Sequence, residues 1–337
     1  MRHLPVVGRP LEGFAQKRLA PVLDASIVCS FDASGFERHA LDFDADDLAV
    51  DLSGRRILVT GANSGLGAET AHRLTELGAE IWMLCRDVAK GEAVRDQIAA
   101  STGRAAPRLE ALDVADAASI DDFAARLGDR PVHGLIHNAG VLPLEREETR
   151  DGLERCWATH CVGPLLLTWR LRDRLAAGAA ERAEGARVLF ITSGGMYAKR
   201  LNLDDIQWLE RTYDGVAAYA VTKRAQMVLT EQLADHLRAK GIDVNAMHPG
   251  WADTPSVERS LPRFHRLMKG RLRTVHQGAD TIVWLAAAAH LAGRSGELFF
   301  DRRSAPSHKL PWTRARSTER RRFWRRVFAD AGLVAPR

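Results

Sequence analysis

The sequence predicts an α/β fold with a doubly wound parallel sheet of about seven strands in three αβα layers. Short β-branched and apolar runs alternate with helical stretches, and this alternation is typical of a parallel sheet that is covered on both faces. With 337 residues and 46% hydrophobic content, the chain can bury a full core in one domain. The predicted strands are 57–60, 81–85, 109–112, 134–137, 188–192, 244–247 and 298–300.

A glycine-rich turn, residues 60–67, follows the first strand and precedes a helical stretch at 68–77. Such a turn lets the backbone approach a pyrophosphate, and the amides at a helix N-terminus stabilise the anion. A glycine turn alone is often only a turn, but the flanking strand and helix are the context that nucleotide binding requires. We therefore expect a Rossmann-type dinucleotide site here. The residues expected to contact the cofactor are Gly61, Asn63, Ser64, Gly65, Leu66 and Gly67.

Tyr219 and Lys223 are four residues apart, which on a helix places both side chains on one face. A phenol with a pKa near 10 is a poor acid at neutral pH, and a neighbouring ammonium lowers that pKa. The pair can then act as a tuned general acid, although the same spacing also occurs in ordinary solvated pairs. Ser193 follows the 188–192 strand, either at a ligand-binding sheet edge or in a simple turn.

The order and spacing of five motifs resemble the short-chain dehydrogenase/reductase family, classical type, over about residues 52–301. The motifs are the 60–67 turn, Asn138-Ala139-Gly140 after the fourth strand, Ser193, Tyr219 with Lys223, and Pro249-Gly250 after the sixth strand. Further segments are similar to one branch of this family that has no well-defined substrate. They are 193–196, 248–255, 277–281 and 299–302.

The resemblance implies hydride transfer between a nicotinamide cofactor and a small-molecule carbonyl or alcohol, which we expect to be lipophilic. In the family pattern, Tyr219 transfers the proton of the substrate oxygen and Ser193 hydrogen-bonds the carbonyl. Lys223 lowers the phenol pKa and holds the nicotinamide ribose. Asn138, Ala139, Gly140, Pro249 and Gly250 are assigned to the cofactor site by the same resemblance.

The end of the second strand predicts the type of cofactor. Arg86 lies 19 residues after Gly67, where an arginine accommodates a 2′-phosphate and an acidic side chain would bind a 2′-hydroxyl. Asp87 is expected to cap the next helix instead. NADP(H) is therefore favoured over NAD(H). Asp113 and Val114 resemble the adenine-binding pair of the family, with a helix cap as the alternative for Asp113.

Two positions depart from the family pattern. His137 replaces an asparagine before Asn138, a change expected to alter packing or a backbone contact. His160 stands where the family has the asparagine of a proton-relay tetrad. Its imidazole can hold the relay water, shuttle a proton, leave the relay degraded or simply pack inside the helix. A degraded relay and the basic tail motivate the alternative hypothesis, a cofactor-binding sensor or scaffold with weakened turnover.

Composition limits the other function classes. The four cysteines show no paired spacing, so we expect neither a disulfide nor a metal site. Residues 1–10 do not resemble a signal peptide, and no stretch reaches about 18 apolar residues. The interpretation is an intracellular, cytoplasmic protein of three parts: an N-terminal extension (1–50), a Rossmann domain (51–301) and a basic tail (302–337). Assembly into a homo-oligomer stays open.

The tail carries eleven Lys and Arg residues against two acidic residues, a net charge of +9. Trp324, Val327, Phe328 and Ala331 follow helical spacing among arginines. Such a helix can lie on an anionic membrane surface or dock its apolar stripe on the protein's own core, and we favour the second interpretation. No nucleic-acid-reading module accompanies the charge, so we expect no nucleic acid partner. The apolar residues of 1–50 are expected to pack on the domain.

Overall fold

The computed structural model describes residues 27–336, in which eight strands form one sheet. Seven strands are the predicted runs, with ends shifted by at most two residues. The apolar pattern of residues 1–26 lies outside the described part. The strands are β1 (Arg56–Thr60), β2 (Glu80–Cys85), β3 (Arg108–Ala111), β4 (Gly134–His137), β5 (Ala186–Ile191), β6 (Ile242–Met247), β7 (Leu298–Phe300) and β8 (Arg303–Ala305).

The helices fill the intervals between the strands, as the alternating pattern predicts. A short helical turn (Arg155–Trp157) and a π-helical segment (Ala158–Val162) lead directly into α6. The helices are α1 (Ile27–Phe31), α2 (Ala33–Ala40), α3 (Gly65–Glu76), α4 (Val88–Thr102), α5 (Ala117–Leu127), α6 (Gly163–Ala180), α7 (Gly215–Leu237), α8 (Pro255–Ser260), α9 (Pro262–Met268), α10 (Val275–Ala287) and α11 (Ser317–Asp330). In the described residues, no helix is both long and apolar enough to span a bilayer.

The strand order is β3-β2-β1-β4-β5-β6-β7-β8. Strands β1 to β7 are parallel, and Ile57 pairs with Ile81 on one side and Gly134 on the other. The chain therefore winds outward from β1 in both directions, and a crevice forms between the carboxyl ends of β1 and β4. This arrangement confirms the predicted doubly wound, three-layer fold.

The eighth strand was not predicted. β8 runs antiparallel to β7 after a tight turn in which Asp301 and Arg302 have φ angles of 48° and 56°. Non-glycine residues rarely adopt this conformation, and ion pairs hold both side chains here. Asp301 bonds to Arg273, and Arg302 bonds to Asp280. The predicted domain boundary at residue 301 thus falls inside a β-hairpin.

The core lies in two layers, one on each face of the sheet. On one face, α5, α6, α7 and α11 cover β-strand residues such as Leu58, Val188 and Val244. On the other face, α3 and α10 cover Val59 and Ile191. Burial of a large apolar side chain contributes about 1.5 to 3 kcal/mol, so these layers hold the strand ends that build the site.

The basic tail ends in α11, whose apolar stripe docks on the protein's own core. Phe323, Trp324, Val327 and Phe328 are buried, and the Phe328 ring lies edge-on to Trp169 of α6. The favoured interpretation of the tail's apolar residues is therefore confirmed. Its arginines remain at the surface.

Candidate active site

A cleft of about 760 Å³ opens at the carboxyl ends of β1, β4, β5 and β6. The sheet topology predicts a site at this edge. Of the predicted site residues, those lining it are Gly61, Asn63, Ser64, Gly65, Leu66, Arg86, Asp113, Val114, Asn138, Ala139, Gly140, Ser193, Tyr219, Lys223, Pro249 and Gly250. Gly67 and His160 lie behind the wall of the cleft.

The glycine turn has the backbone that a phosphate cradle requires. Gly61 and Gly65 have φ angles of 66° and 53°, which favour glycine. A Cβ at Gly67 would meet the side-chain nitrogen of Asn138 and the carbonyl oxygen of Gly61, each at 2.4 Å. Gly67 therefore permits close packing of α3 on the loop after β4. Gly67 was expected to contact the cofactor, but it does not line the cleft.

The N-terminus of α3 is open to an anion. Ser64 is its N-cap residue, but the Ser64 side chain makes no capping hydrogen bond. The N-caps of α4 and α5, Asp87 and Asp116, by contrast accept from backbone amides of their helices. The first amides of α3 thus keep their donors for a ligand in the cleft, which fits a pyrophosphate.

Asn138 fixes the loop after β4 to the glycine turn. Its side-chain nitrogen donates to the carbonyl oxygens of Thr60 at 2.9 Å and Gly61 at 3.2 Å. Its own backbone N–H donates to the Thr60 hydroxyl at 3.0 Å. Asn138 therefore shapes the floor of the cleft at the point where the strand order reverses.

The end of β2 places two cations beside the cleft. The Arg86 side chain is 65% exposed and lies 4.0 Å from the Asp113 carboxylate. Asp87 accepts from the backbone N–H of Lys90, which confirms the predicted cap. Lys90, in the first turn of α4, also lines the cleft. The sequence analysis did not predict this, although a lysine so soon after Arg86 indicates a second positive charge near the same site. Asp113 lines the cleft and also accepts from the Ala115 N–H in a local turn.

The catalytic candidates meet at the ends of β5 and α7. Tyr219 is half-buried in the cleft wall. Burial raises the pKa of Tyr219 to about 12, and a hydrogen bond with the Ser193 side chain partly offsets this rise. The expected lowering of the Tyr219 pKa is therefore wrong for this structure. The physical reason is burial of the Tyr219 side chain, while the Lys223 ammonium lies 5.5 Å from the ring centroid and donates to Ile191 and Gln226 instead.

Lys223 is held from two sides. Its Nζ donates to the Ile191 carbonyl at 2.8 Å and to the Gln226 side-chain oxygen at 3.0 Å. Burial lowers the pKa of Lys223 to about 8. The ammonium thus lines the cleft one helical turn from Tyr219, as the spacing predicts.

His160 lies in the π-helical segment, and both ring nitrogens bond to protein atoms. The Val141 N–H donates to Nε2 at 3.1 Å, so Nδ1 carries the proton and donates to the Thr222 hydroxyl at 2.8 Å. Burial, reinforced by the Lys223 charge, lowers the pKa of His160 well below its usual range. Roles as a water holder or proton shuttle need a free nitrogen or a titrating ring, so the structure supports the packed alternative. The imidazole ties the loop after Gly140 to α7.

His137 is a second buried imidazole. Its Nε2 lies 2.8 Å from the Thr168 hydroxyl, and its ring packs 4.7 Å from the Phe190 ring centroid. Burial lowers the pKa of His137 to about 3. It therefore acts in packing, as predicted for this departure from the family pattern.

A segment after β6, the lid (residues 251–273), covers one side of the cleft and contains α8 and α9. The N-terminal strap (residues 27–40) holds both ends of the lid. The Trp251 N–H donates to the Phe31 carbonyl at 2.8 Å, and the Ala33 N–H donates to the Arg271 carbonyl at 2.9 Å. The Arg271 guanidinium also pairs with the Asp32 carboxylate at 2.7 Å.

Phe31 is the buried aromatic residue of the strap. Its ring packs against the rings of His248, Trp251 and Phe300. A Cβ at Gly194, next to Ser193, would lie 2.4 Å from the Phe31 ring, so only glycine fits there. The sequence analysis expected residues 1–50 to pack on the domain, and the described part does so beside the site.

Comparisons with known proteins agree with this geometry. A family model described as enoyl-(acyl carrier protein) reductase matches residues 61–290. The chain is similar to dehydrogenase/reductase SDR family member 12 of Bos taurus, at 40% identity over 287 residues that cover 85% of this chain and 88% of that protein. That protein represents the branch indicated by the further sequence segments. The chain is also similar to human retinol dehydrogenase 12, at 34% identity over 75% of this chain and 79% of that one.

Solved structures show the same fold. One, titled a short chain dehydrogenase/reductase family protein, has a TM-score of 0.58 at 25% identity and covers 74% of this chain and 96% of its own. A protein from Mycobacterium paratuberculosis has a TM-score of 0.65 at 26% identity, with coverage of 86% and 97%. The chain therefore belongs to the short-chain dehydrogenase/reductase family of oxidoreductases.

Proposed function

We propose that the protein is an NADP(H)-dependent oxidoreductase that interconverts a lipophilic carbonyl compound and its alcohol. The observation that carries this proposal is that Ser193, Tyr219 and Lys223 meet in one cleft with the uncapped N-terminus of α3. An acid, an anchoring cation and an anion site in one crevice are the parts that nicotinamide chemistry requires.

Each residue has a role that its position supports. Residues 61–66 and the α3 amides would hold the cofactor pyrophosphate, and Lys223 would hold the nicotinamide ribose. When bound, the nicotinamide supplies or accepts the hydride. Ser193 orients the substrate oxygen, and Tyr219 donates its hydroxyl proton to that oxygen in the reductive direction.

The preference for NADP(H) is supported by Arg86 and Lys90. The Arg86 guanidinium is exposed toward the cleft and can form charge-assisted bonds to a 2′-phosphate, while Lys90 adds a second positive charge. Charged hydrogen bonds contribute about 1.5 to 3 kcal/mol, which corresponds to roughly ten- to over a hundredfold in affinity.

Titration of NADPH and NADH by tryptophan fluorescence tests this preference. We expect Arg86→Ala to weaken NADPH binding by roughly tenfold or more and to leave NADH binding nearly unchanged. Arg95→Ala, on the helix α4 that follows Arg86 and paired with Asp96, is the matched control. Equal affinities for the two cofactors in the wild-type protein would refute the preference.

The proposed lipophilic substrate rests on the apolar side chains around the mouth of the cleft. These side chains are Leu142, Pro143, Val216, Trp251, Leu261 and Phe264. Retinol dehydrogenase 12, a similar protein, is named for a lipophilic alcohol. A screen of aldehydes, ketones and alcohols of increasing chain length, followed by NADPH absorbance, tests the class. Turnover that does not improve with apolar chain length would contradict it.

The alternative function is a cofactor-binding sensor or scaffold with weakened turnover. It is motivated by His160, whose ring nitrogens both serve protein contacts rather than a relay water. Steady-state NADPH oxidation separates the two functions. Tight cofactor binding without turnover of any compound in the screen would favour the sensor.

A further inference from the structure

On the outer surface of the lid, four cations have no carboxylate partner among residues 27–336. In the described residues, Arg259 and Arg266 bond only to carbonyl oxygens of the lid, Pro255 O and Pro262 O. Arg263 and Lys269 make no ion pair with the described part of the chain. We call Arg263, Arg266, Leu267 and Lys269 the lid surface.

The helical period of α9 separates this surface from the cleft. Phe264 and Met268, four residues apart, face inward, and Phe264 lines the cleft. Arg263, Arg266 and Leu267 have the i, i+3, i+4 spacing of the opposite face. The Leu267 side chain is 81% exposed, although it lies between charged residues. The lid surface is therefore an apolar residue flanked by positive charge on the outer wall of the cleft.

Unpaired charge on the lid contrasts with much of the remaining surface. Arginines on other elements pair with carboxylates, as in Arg55 with Glu184 and Arg170 with Asp121. The lid has only two acidic residues, and one of them, Asp253, bonds to His265. The lid surface therefore attracts an anionic partner, and the tail, where Arg321 and Arg325 also make no ion pair with the described residues, provides the comparison for the test below.

We propose that the lid surface docks on an anionic lipid membrane, with the mouth of the cleft beside the bilayer. This inference deepens the proposed function, because it rests on a lipophilic substrate that a membrane would deliver. Cations near an anionic bilayer are attracted to it, and an exposed apolar side chain among them inserts at the headgroup boundary. Across the cleft, Leu144 follows the lining residues Leu142 and Pro143 and is 71% exposed, so apolar residues flank the mouth on both sides.

A membrane fits these observations better than an acidic protein. A protein partner would recognise the cations through paired carboxylates, but it would not need two apolar residues exposed on separate elements. A bilayer interface meets both requirements at once, because it offers anionic headgroups and an apolar boundary over a wide area.

Co-sedimentation of the full chain with phosphatidylcholine vesicles, with and without about a third phosphatidylserine, tests the proposal. The test variant combines Arg263→Glu, Arg266→Glu and Lys269→Glu. The matched control makes the same charge change on the tail, with Arg314→Glu, Arg321→Glu and Arg325→Glu, all at exposed positions. A third variant, Leu267→Ala, removes the apolar contact alone.

We expect the wild-type protein to bind the anionic vesicles and to dissociate at high salt, because surface charges are screened. Each cation near the surface contributes about 1 kcal/mol, so the lid variant should lose roughly a hundredfold in vesicle affinity. The tail variant should retain most of its binding, and Leu267→Ala should show a smaller loss than the lid variant.

Three outcomes would overturn the proposal: no binding of the wild-type protein to anionic vesicles, equal binding by the lid variant, or loss of binding in the tail variant alone. If the wild-type protein does not bind anionic vesicles, an acidic protein becomes the favoured partner of the lid surface. If only the tail variant loses binding, the tail makes the membrane contact. Circular dichroism and NADPH affinity check that each variant is folded. Vesicle binding requires no turnover, so its failure is distinguishable from failure of the proposed activity.

Discussion

At the scale of single residues, burial sets the protonation of the groups around the cleft. The pKa of Tyr219 is raised to about 12, so its phenol carries a proton throughout the physiological range. A protonated phenol is ready to donate to a carbonyl oxygen, whereas alcohol oxidation requires it to lose that proton first. A protonated Tyr219 therefore fits the role of general acid in the proposed reduction.

Replacing Tyr219 by phenylalanine tests this role. We expect turnover to fall by roughly a hundredfold to ten-thousandfold, the usual contribution of a general acid, with NADPH affinity retained. Tyr197→Phe is the matched control, because Tyr197 is buried and its hydroxyl donates to the Pro306 carbonyl away from the cleft. Steady-state NADPH oxidation is the measurement. A Tyr219→Phe variant as fast as Tyr197→Phe would remove the assignment.

His160 is expected to act as a positioning residue. His160→Leu leaves the Val141 N–H without its acceptor, at a cost of roughly 1 to 3 kcal/mol, and removes one bond from the Thr222 hydroxyl, which still donates to a backbone carbonyl. Denaturant unfolding should show this loss, and His160→Asn should recover part of it if the amide reaches either partner. The pH-rate profile of the wild-type protein should have no inflection near 6.5 from this ring. Unchanged stability in His160→Leu would contradict the bridging role.

At the scale of elements, the strap and the lid form one unit. The strap contacts the lid at both ends through backbone hydrogen bonds and the Asp32–Arg271 pair, and the Phe31 ring packs against Trp251 of the lid. The lid's cations are also cleavage sites for trypsin. The rate of tryptic cleavage in the lid therefore measures how firmly the lid is held.

The substitution Phe31→Ala should release the lid without unfolding the sheet. Large-to-small changes of a buried phenylalanine cost about 3 to 5 kcal/mol, and the lost contacts include the Trp251 ring, which belongs to the lid. We expect tryptic cleavage within residues 259–271 to become roughly tenfold faster or more. Leu41→Ala, at a position that is 52% exposed, is the control. Equal cleavage rates in the two variants would show that the strap does not hold the lid.

At the scale of the whole molecule, three buried histidines link stability to pH. Burial lowers the pKa of His137 and of His248 to about 3, and that of His160 well below its usual range. The unfolded chain binds protons at these residues below pH 6.5, but the folded protein does not. Their contribution to stability is therefore present above pH 6.5 and is lost as the pH falls.

We expect the free energy of unfolding to decrease by about 1.6 kcal/mol for each of these three histidines between pH 6.5 and pH 5. Urea unfolding at several pH values in this window measures the effect. His137→Asn removes one of the three groups and should reduce the pH dependence by about a third. An identical pH dependence in this variant and the wild-type protein would contradict the assignment.

The sequence by itself determined the order of strands and helices, because apolar runs and glycine turns act locally. The same local patterns determined which residues face the cleft, since the carboxyl ends of parallel strands meet at one edge of a sheet. Ser193, Tyr219 and the 60–66 turn are cases of this kind. Family membership followed from their order and spacing.

Only the tertiary structure decided the hydrogen bonds and the protonation of the side chains in the site. His160 depends on Val141 and Thr222, which are far from it in sequence, and the direction of the Tyr219 pKa shift depends on burial by the whole site. The strap and β8 are likewise held by contacts between distant segments. Such contacts have no local pattern, because hydrogen bonds and burial arise from where the folded chain brings side chains together.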